Sequence, residues 1–222
     1  LESFADATGI LAGDWHDDVL NRGDVTAEAI AESSQQGVNV GIALIDFVVP
    51  TPSLVLGGNG TSAEARTFGI DLGQGQDKAN NTGSLAVHAE SRADSTITSV
   101  NMAEISIGGS DKMPDLGVSV VGADTTTTAV SRSLGIAGGK GDDVIDNSAM
   151  MDVTSDAHGA STSASGGVGI QFEESDYFFE IDAILARSET QSTAGASGIT
   201  GDDGEDQLIN SGTMTIASQA ET

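Results

Sequence analysis

The sequence predicts an all-β fold built from repeats, a β-solenoid-like stack with about 63 residues per repeat. Three observations carry this. Gly-Ile recurs at Gly9-Ile10, Gly69-Ile70, Gly135-Ile136 and Gly198-Ile199, so the isoleucines are spaced 60, 66 and 63 residues apart. Beyond each of these turns the chain alternates apolar and polar residues with period 2, the mark of a half-buried strand. Aromatics are only 4% of the chain, so Ala, Val, Ile, Ser, Thr and Gly must do the packing, which suits thin, closely stacked sheets. A long-stranded antiparallel meander or sandwich is the alternative.

The repeat is strict around its turn. Seven residues after the isoleucine stand Asp17, Asp77, Asp143 and Asp206. Eleven after it stand Asn21, Asn81, Asn147 and Asn210, and thirteen after it Gly23, Gly83, Ala149 and Gly212. On this register 1–9 is the end of a preceding repeat, 10–69, 70–135 and 136–198 are three repeats, and 199–222 begins a fourth.

Within a repeat, the strand leaving the turn presents a face that tapers from large to small: Val25, Ala27, Ala29, Ala31; Leu85, Val87, Ala89, Ser91; Met151, Val153, Ser155, Ala157. The strand returning to the turn is equally small-featured, as in Ala63, Ala65, Thr67 and Ala129, Ser131, Ser133. Such flanks let two sheets approach more closely than the usual ~10 Å. Between them lie variable linkers that hold Pro50, Pro52 and Pro114, where no ladder hydrogen bond is needed. No convincing helix is expected. Each repeat reads as one broad, flattened coil whose narrow edge is the glycine-aspartate turn; three shorter coils per repeat would set the aspartates roughly 14 Å apart instead of ~4.8 Å.

Charge narrows the function classes. Lys+Arg 8 against Asp+Glu 34 gives a formal net charge of -26, which makes nucleic acid an improbable partner and points to counterions such as divalent cations. There are no cysteines for disulfides or thiolate metal sites, and no window approaches the ~18 apolar residues of a membrane span.

The stretch GGKGDDVID, residues 138 to 146, decides what the turn chemistry could be. A phosphate loop would need a longer glycine spacing and a hydroxyl after Lys140, where Gly141 stands. A hard cation takes six to eight oxygens, which glycine carbonyls and a recurrent carboxylate can supply. The stretch fits G-G-x-G-x-D-x-U-x in full and resembles the RTX (repeats-in-toxin) calcium-binding repeats of secreted bacterial proteins. The resemblance implies calcium held by Gly139, Gly141 and Asp143, and by register Gly73, Gly75 and Asp77, then Gly204 and Asp206, with Asp17 in the first turn. Asp142 and Asp203 are neighbouring carboxylates that add charge to the same loops. The tandem arrangement of RTX nonapeptides is absent, Ala79 replaces the aliphatic residue in the second turn, and Trp15 replaces the inner glycine in the first. The alternative is that Asp and Asn only cap tight turns, with the asparagines forming a ladder where repeats stack.

Other features are weaker. Arg22-Gly23-Asp24 is an integrin-type tripeptide whose glycine is simply a repeat position. His16, His88 and His158 sit at different offsets, which argues against a shared metal or catalytic role. Glu173, Glu174 and Asp176 occur in one linker only, beside the aromatic group Phe172, Tyr177, Phe178 and Phe179. The chain is therefore expected to be no enzyme, but a structural segment of a long secreted or surface-anchored bacterial fibre or adhesin, rigidified by calcium. Its expected partners are neighbouring repeats or copies of itself, with a cell-surface glycan or other surface protein as further possibilities. A self-assembling filament subunit pairing through open sheet edges is the alternative, and a carbohydrate-active β-helix enzyme a third.

Overall fold

The structure is a computed structural model that describes residues 1–45, 53–105, 115–170 and 178–222. These contain strands and no helix: β1 (Glu2–Gly13), β2 (Asp18–Asn21), β3 (Val25–Ile45), β4 (Ser53–Gly73), β5 (Lys78–Asn81), β6 (Leu85–Ile105), β7 (Asp115–Ala137), β8 (Val144–Asn147), β9 (Met151–Ile170), β10 (Phe178–Thr200), β11 (Gln207–Asn210) and β12 (Met214–Glu221). They form three parallel sheets with strand orders β1-β4-β7-β10, β11-β8-β5-β2 and β12-β9-β6-β3. The three linkers with their prolines, and the acidic and aromatic residues 172–177, lie outside the described residues.

Parallel pairing overturns the antiparallel meander. Strands adjacent in sequence, such as β3 and β4, go to different sheets, so neither can pair with the other as a hairpin would. Each strand pairs instead with its equivalent one layer on: Ile10 with Ile70, Ile70 with Ile136 and Ile199 with Ile136. The equivalent aspartates are hydrogen-bonded neighbours, so three shorter coils between them are also overturned.

The narrow edge differs from the single tight turn expected from sequence. It is a sheet of four-residue strands, β2, β5, β8 and β11, bounded by an aspartate corner on one side and an asparagine corner on the other. Four residues between Gly/Asp-rich and Asn-rich stretches are too few for a period of two to stand out, and only pairing with neighbours above and below makes them strands.

The core grades along each layer. Next to the narrow edge Ile70, Leu72, Leu85, Ile136, Ile145, Met151 and Val153 are buried together, each side chain contributing about 1.5–3 kcal/mol by leaving water. Volume is shared across the corner: one layer places Leu72 with Ala79, the next Gly138 with Ile145. Further along, the tapering faces meet as an alanine slab of Ala29, Ala31, Ala63, Ala65, Ala89, Ala93, Ala129 and Ala157. There the two broad sheets come as close as the small residues imply. The Ser131 hydroxyl donates to the Ala89 carbonyl of the opposite sheet at 2.7 Å, and the Thr67 hydroxyl to the His88 carbonyl at 2.8 Å. A hydroxyl one carbon from its backbone spans the gap unaided.

Candidate metal centre

The aspartate corner is built by backbone conformation first. Gly13, Gly73 and Gly139 take φ values of 124°, 87° and 92°, and Gly75, Gly141 and Gly204 take 152°, 130° and 144°. The layers are also too close for side chains here: a Cβ on Gly141 would overlap the Gly75 carbonyl oxygen. In the fourth layer Asp202 holds the position of Gly139 with φ 67°, a conformation that aspartate tolerates better than most residues.

This geometry aligns Asp17, Asp77, Asp143 and Asp206 in one column. The Asp17 amide donates to Asp77 Oδ1 at 2.8 Å, the Asp77 amide to Asp143 Oδ1 at 2.8 Å, and the Asp143 amide to Asp206 Oδ1 at 2.9 Å. Asp77 and Asp143 are 2% and 1% exposed, and the second carboxylate oxygen of each, Oδ2, is buried with no hydrogen-bond partner. Burial pushes the Asp143 pKa up. The Asp77 amide pulls it down in part, and the charges of Asp77, Asp206 and Asp142 push it up further.

The other residues expected at the site fall into two groups. The carbonyls of Gly73 and Gly139 accept ladder hydrogen bonds from the amides of Lys140 and Asp203, both at 3.0 Å, so each keeps one lone pair for anything else. Gly75, Gly141 and Gly204 shape the corner, the first two donating their amides to the carbonyls of Lys140 and Asp203. Asp142 and Asp203 are exposed on the outer side, away from the buried column. Asp142 is engaged there by the Gln76 amide group at 3.4 Å and the Glu205 backbone at 3.0 Å. Asp142 is exposed while Asp143 is buried, so the two adjacent carboxylates differ in their access to water.

The sequence singles out neither Asp71 nor Asp202 as a site residue. Both line a groove of ≈ 630 Å³ on the outer side of the corner, together with Asp14, Asp203 and Lys140. Burial raises the Asp71 pKa, the Gly73 amide lowers it, and the charges of Asp202 and Asp6 raise it. Its register partners are Leu11 and Ala137, so a search for repeated residues discards it. The only available signal for Asp202 was its place in the glycine column.

A hard cation could use the two orphaned Oδ2 atoms and the remaining carbonyl lone pairs, so the donors are of the right kind. No group of three or more acidic or histidine side chains is placed to hold a metal ion among the described residues. The histidines keep to separate places: His88 Nδ1 is 2.8 Å from Thr154 Oγ1, and His158 Nδ1 is 3.2 Å from Glu221 Oε2.

The asparagine corner closes the other side of the narrow edge. The Asn21 side-chain amide donates to Asn81 Oδ1, Asn81 to Asn147 and Asn147 to Asn210, each at 2.7 Å. No protein-family model, curated protein or solved structure matches the chain.

Proposed function

We propose that this chain is a β-solenoid-like structural segment of a long extracellular or cell-surface bacterial fibre or adhesin, rigidified by calcium at its glycine-aspartate corners. The observation that carries the reading is the buried column of carboxylates whose Oδ2 atoms at Asp77 and Asp143 have no partner. Burying a charge without compensation costs several kcal/mol, about enough to undo a domain's net stability, so the column calls for something to neutralise it. Asp17, Asp77, Asp143 and Asp206 would hold the cations, with glycine carbonyls of the corner completing the oxygen set. Calcium would supply positive charge and cross-links between layers, easing the repulsion of a chain of net charge -26. An extracellular setting agrees with corners of modest affinity, in the range of about 10⁻⁴–10⁻³ M typical of extracellular modules.

The test is far-UV circular dichroism and thermal melting in calcium and in EGTA. The expected outcome is a melting temperature several degrees higher with calcium and a loss of β signal at lower temperature in EGTA. Identical melts in both would leave the aspartates as turn caps only.

A further inference from the structure

We propose that the outward face of the sheet formed by β4, β7 and β10 holds a binding site for a carboxylated sugar, such as a uronic acid residue of a surface glycan. The proposal adds a ligand to the structural reading and does not depend on calcium at the corners. It starts from the arginines. The chain has 34 acidic residues against 8 basic ones, so a basic side chain here readily finds a carboxylate. Side chains two residues apart on a strand share a face. Arg66, Arg92 and Arg187 pair in this way with Glu64, Asp94 and Glu189. Arg132 cannot. Its neighbours along the strand are Val130 and Leu134, and its register partners across the sheet are Arg66 and Gly195. None of the four carries a carboxylate, and among the described residues Arg132 makes no ion pair. Like charges directly opposite on neighbouring strands destabilise a sheet, so the Arg66 and Arg132 pair is disfavoured by stability alone and would be relieved by an anion.

Arg66 is already oriented. Its Nε donates to Glu64 Oε1 at 2.7 Å, and its guanidinium carbon lies 5.7 Å from the centre of the Phe4 ring. Both arginines line a groove of ≈ 360 Å³, together with Phe68 and Leu134. Small-molecule sites span about 300–1,000 Å³, so the groove suits a ligand of one or two rings. Room is made where the next layer turns small: Gly195 stands beside Arg132 and Ser197 beside Leu134, and a Cβ on Gly195 would meet nothing within 4 Å. The face points out of the stack, so layers above or below leave it open.

The lining selects among anions. A guanidinium fork matches a carboxylate bidentately. Phe68 and Leu134 offer an apolar bed for the C–H face of a pyranose ring, while Thr193, Ser197 and Asp202 offer partners for its hydroxyls. The Asp202 charge repels a ligand that is anionic throughout, such as an acidic peptide, and accepts hydrogen bonds from one that is anionic at one end and hydroxylated at the other. The net charge of -26 keeps anions from collecting on the chain generally, so recognition is local to the two guanidiniums.

The test titrates methyl glucuronide, methyl glucoside and hexaglutamate into the chain, followed by ligand-observed NMR, in whichever of calcium or EGTA gives the β spectrum. The glucuronide is expected to bind with a Kd on the order of 1 mM, and the other two at least tenfold more weakly. Arg132→Gln should weaken glucuronide binding at least tenfold, and Arg132→Lys, which keeps the charge and loses the fork, several-fold. Gly195→Val, a good strand former placed in open space, should abolish binding by filling the groove while leaving the melt unchanged. The proposal is overturned if the glucoside or hexaglutamate binds as well as the glucuronide, the latter marking the face as a protein contact. It is equally overturned if either Arg132→Gln or Gly195→Val, melting normally, binds like the unsubstituted chain. A β-rich, cooperatively melting chain that takes up no glucuronide at about 50 mM would end the sugar site and leave the structural reading standing. A chain without a β spectrum would end both.

Discussion

The two corners of the narrow edge solve the same packing problem with side chains that differ by one group, and only one of the solutions is complete. In the asparagine column Asn81 and Asn147 each accept from the layer before and donate to the layer after, and both are fully buried at no electrostatic cost. In the aspartate column Oδ1 is satisfied, Oδ2 is not, and the charges are of one sign. A stack of layers ~4.8 Å apart makes an amide its own best partner and a carboxylate its own worst. The comparison teaches that repetition amplifies whatever a residue does to its own copy.

The largest expected effect comes from breaking the complete column. Asn81→Ala removes both an acceptor for Asn21 and a donor to Asn147 in a buried place, and should cost about 2–4 kcal/mol, read as a lower denaturant midpoint. Making the incomplete column resemble the complete one should do the opposite. Asp143→Asn removes a buried charge and should stabilise the calcium-free chain by about 1 kcal/mol at neutral pH, and should blunt its melting response to calcium. The pH dependence sharpens the same contrast. Because the folded Asp143 pKa lies above its unfolded value, the folded state binds more protons. Its contribution to stability therefore improves as pH falls through the folded value and worsens as pH rises through it, in a window above the ordinary carboxylate range near 3.8. In EGTA the unsubstituted chain should melt higher at pH 5 than at pH 7, and Asp143→Asn should show less of this rise. The smallest effect belongs to the outer side of the corner: Lys140→Ala, at an exposed and variable position, should shift stability by less than about 0.5 kcal/mol.

Much of this was legible in the sequence because stacking writes the same demand into every layer. The Asn21-to-Asn210 spacing allowed a ladder where the repeats stack, and the small residues flanking the turn forecast closely approaching sheets; the ladder is seen, and hydroxyls of Thr67 and Ser131 reach the opposite sheet. Lys78–Asn81 was hidden because so short a strand exists only through its neighbours. The division between Asp142 and Asp143 depends on the side each faces, which composition does not encode. The use of the Gly73 and Gly139 carbonyls depends on φ at the corner, and Asp71 on a groove that crosses several layers. Repeated residues reveal the scaffold, while its singular residues stay silent until the layers are superposed.

The direction of the ladders has a mechanical consequence. In parallel sheets stacked this way the backbone hydrogen bonds run along the stacking axis rather than across it. A pull spread evenly over the two end layers of such an array would load every rung of a layer boundary at the same moment, on both broad sheets and the narrow one. Rupture then requires many bonds to fail together, so such an array should behave as a stiff tether that holds its length until a boundary lets go.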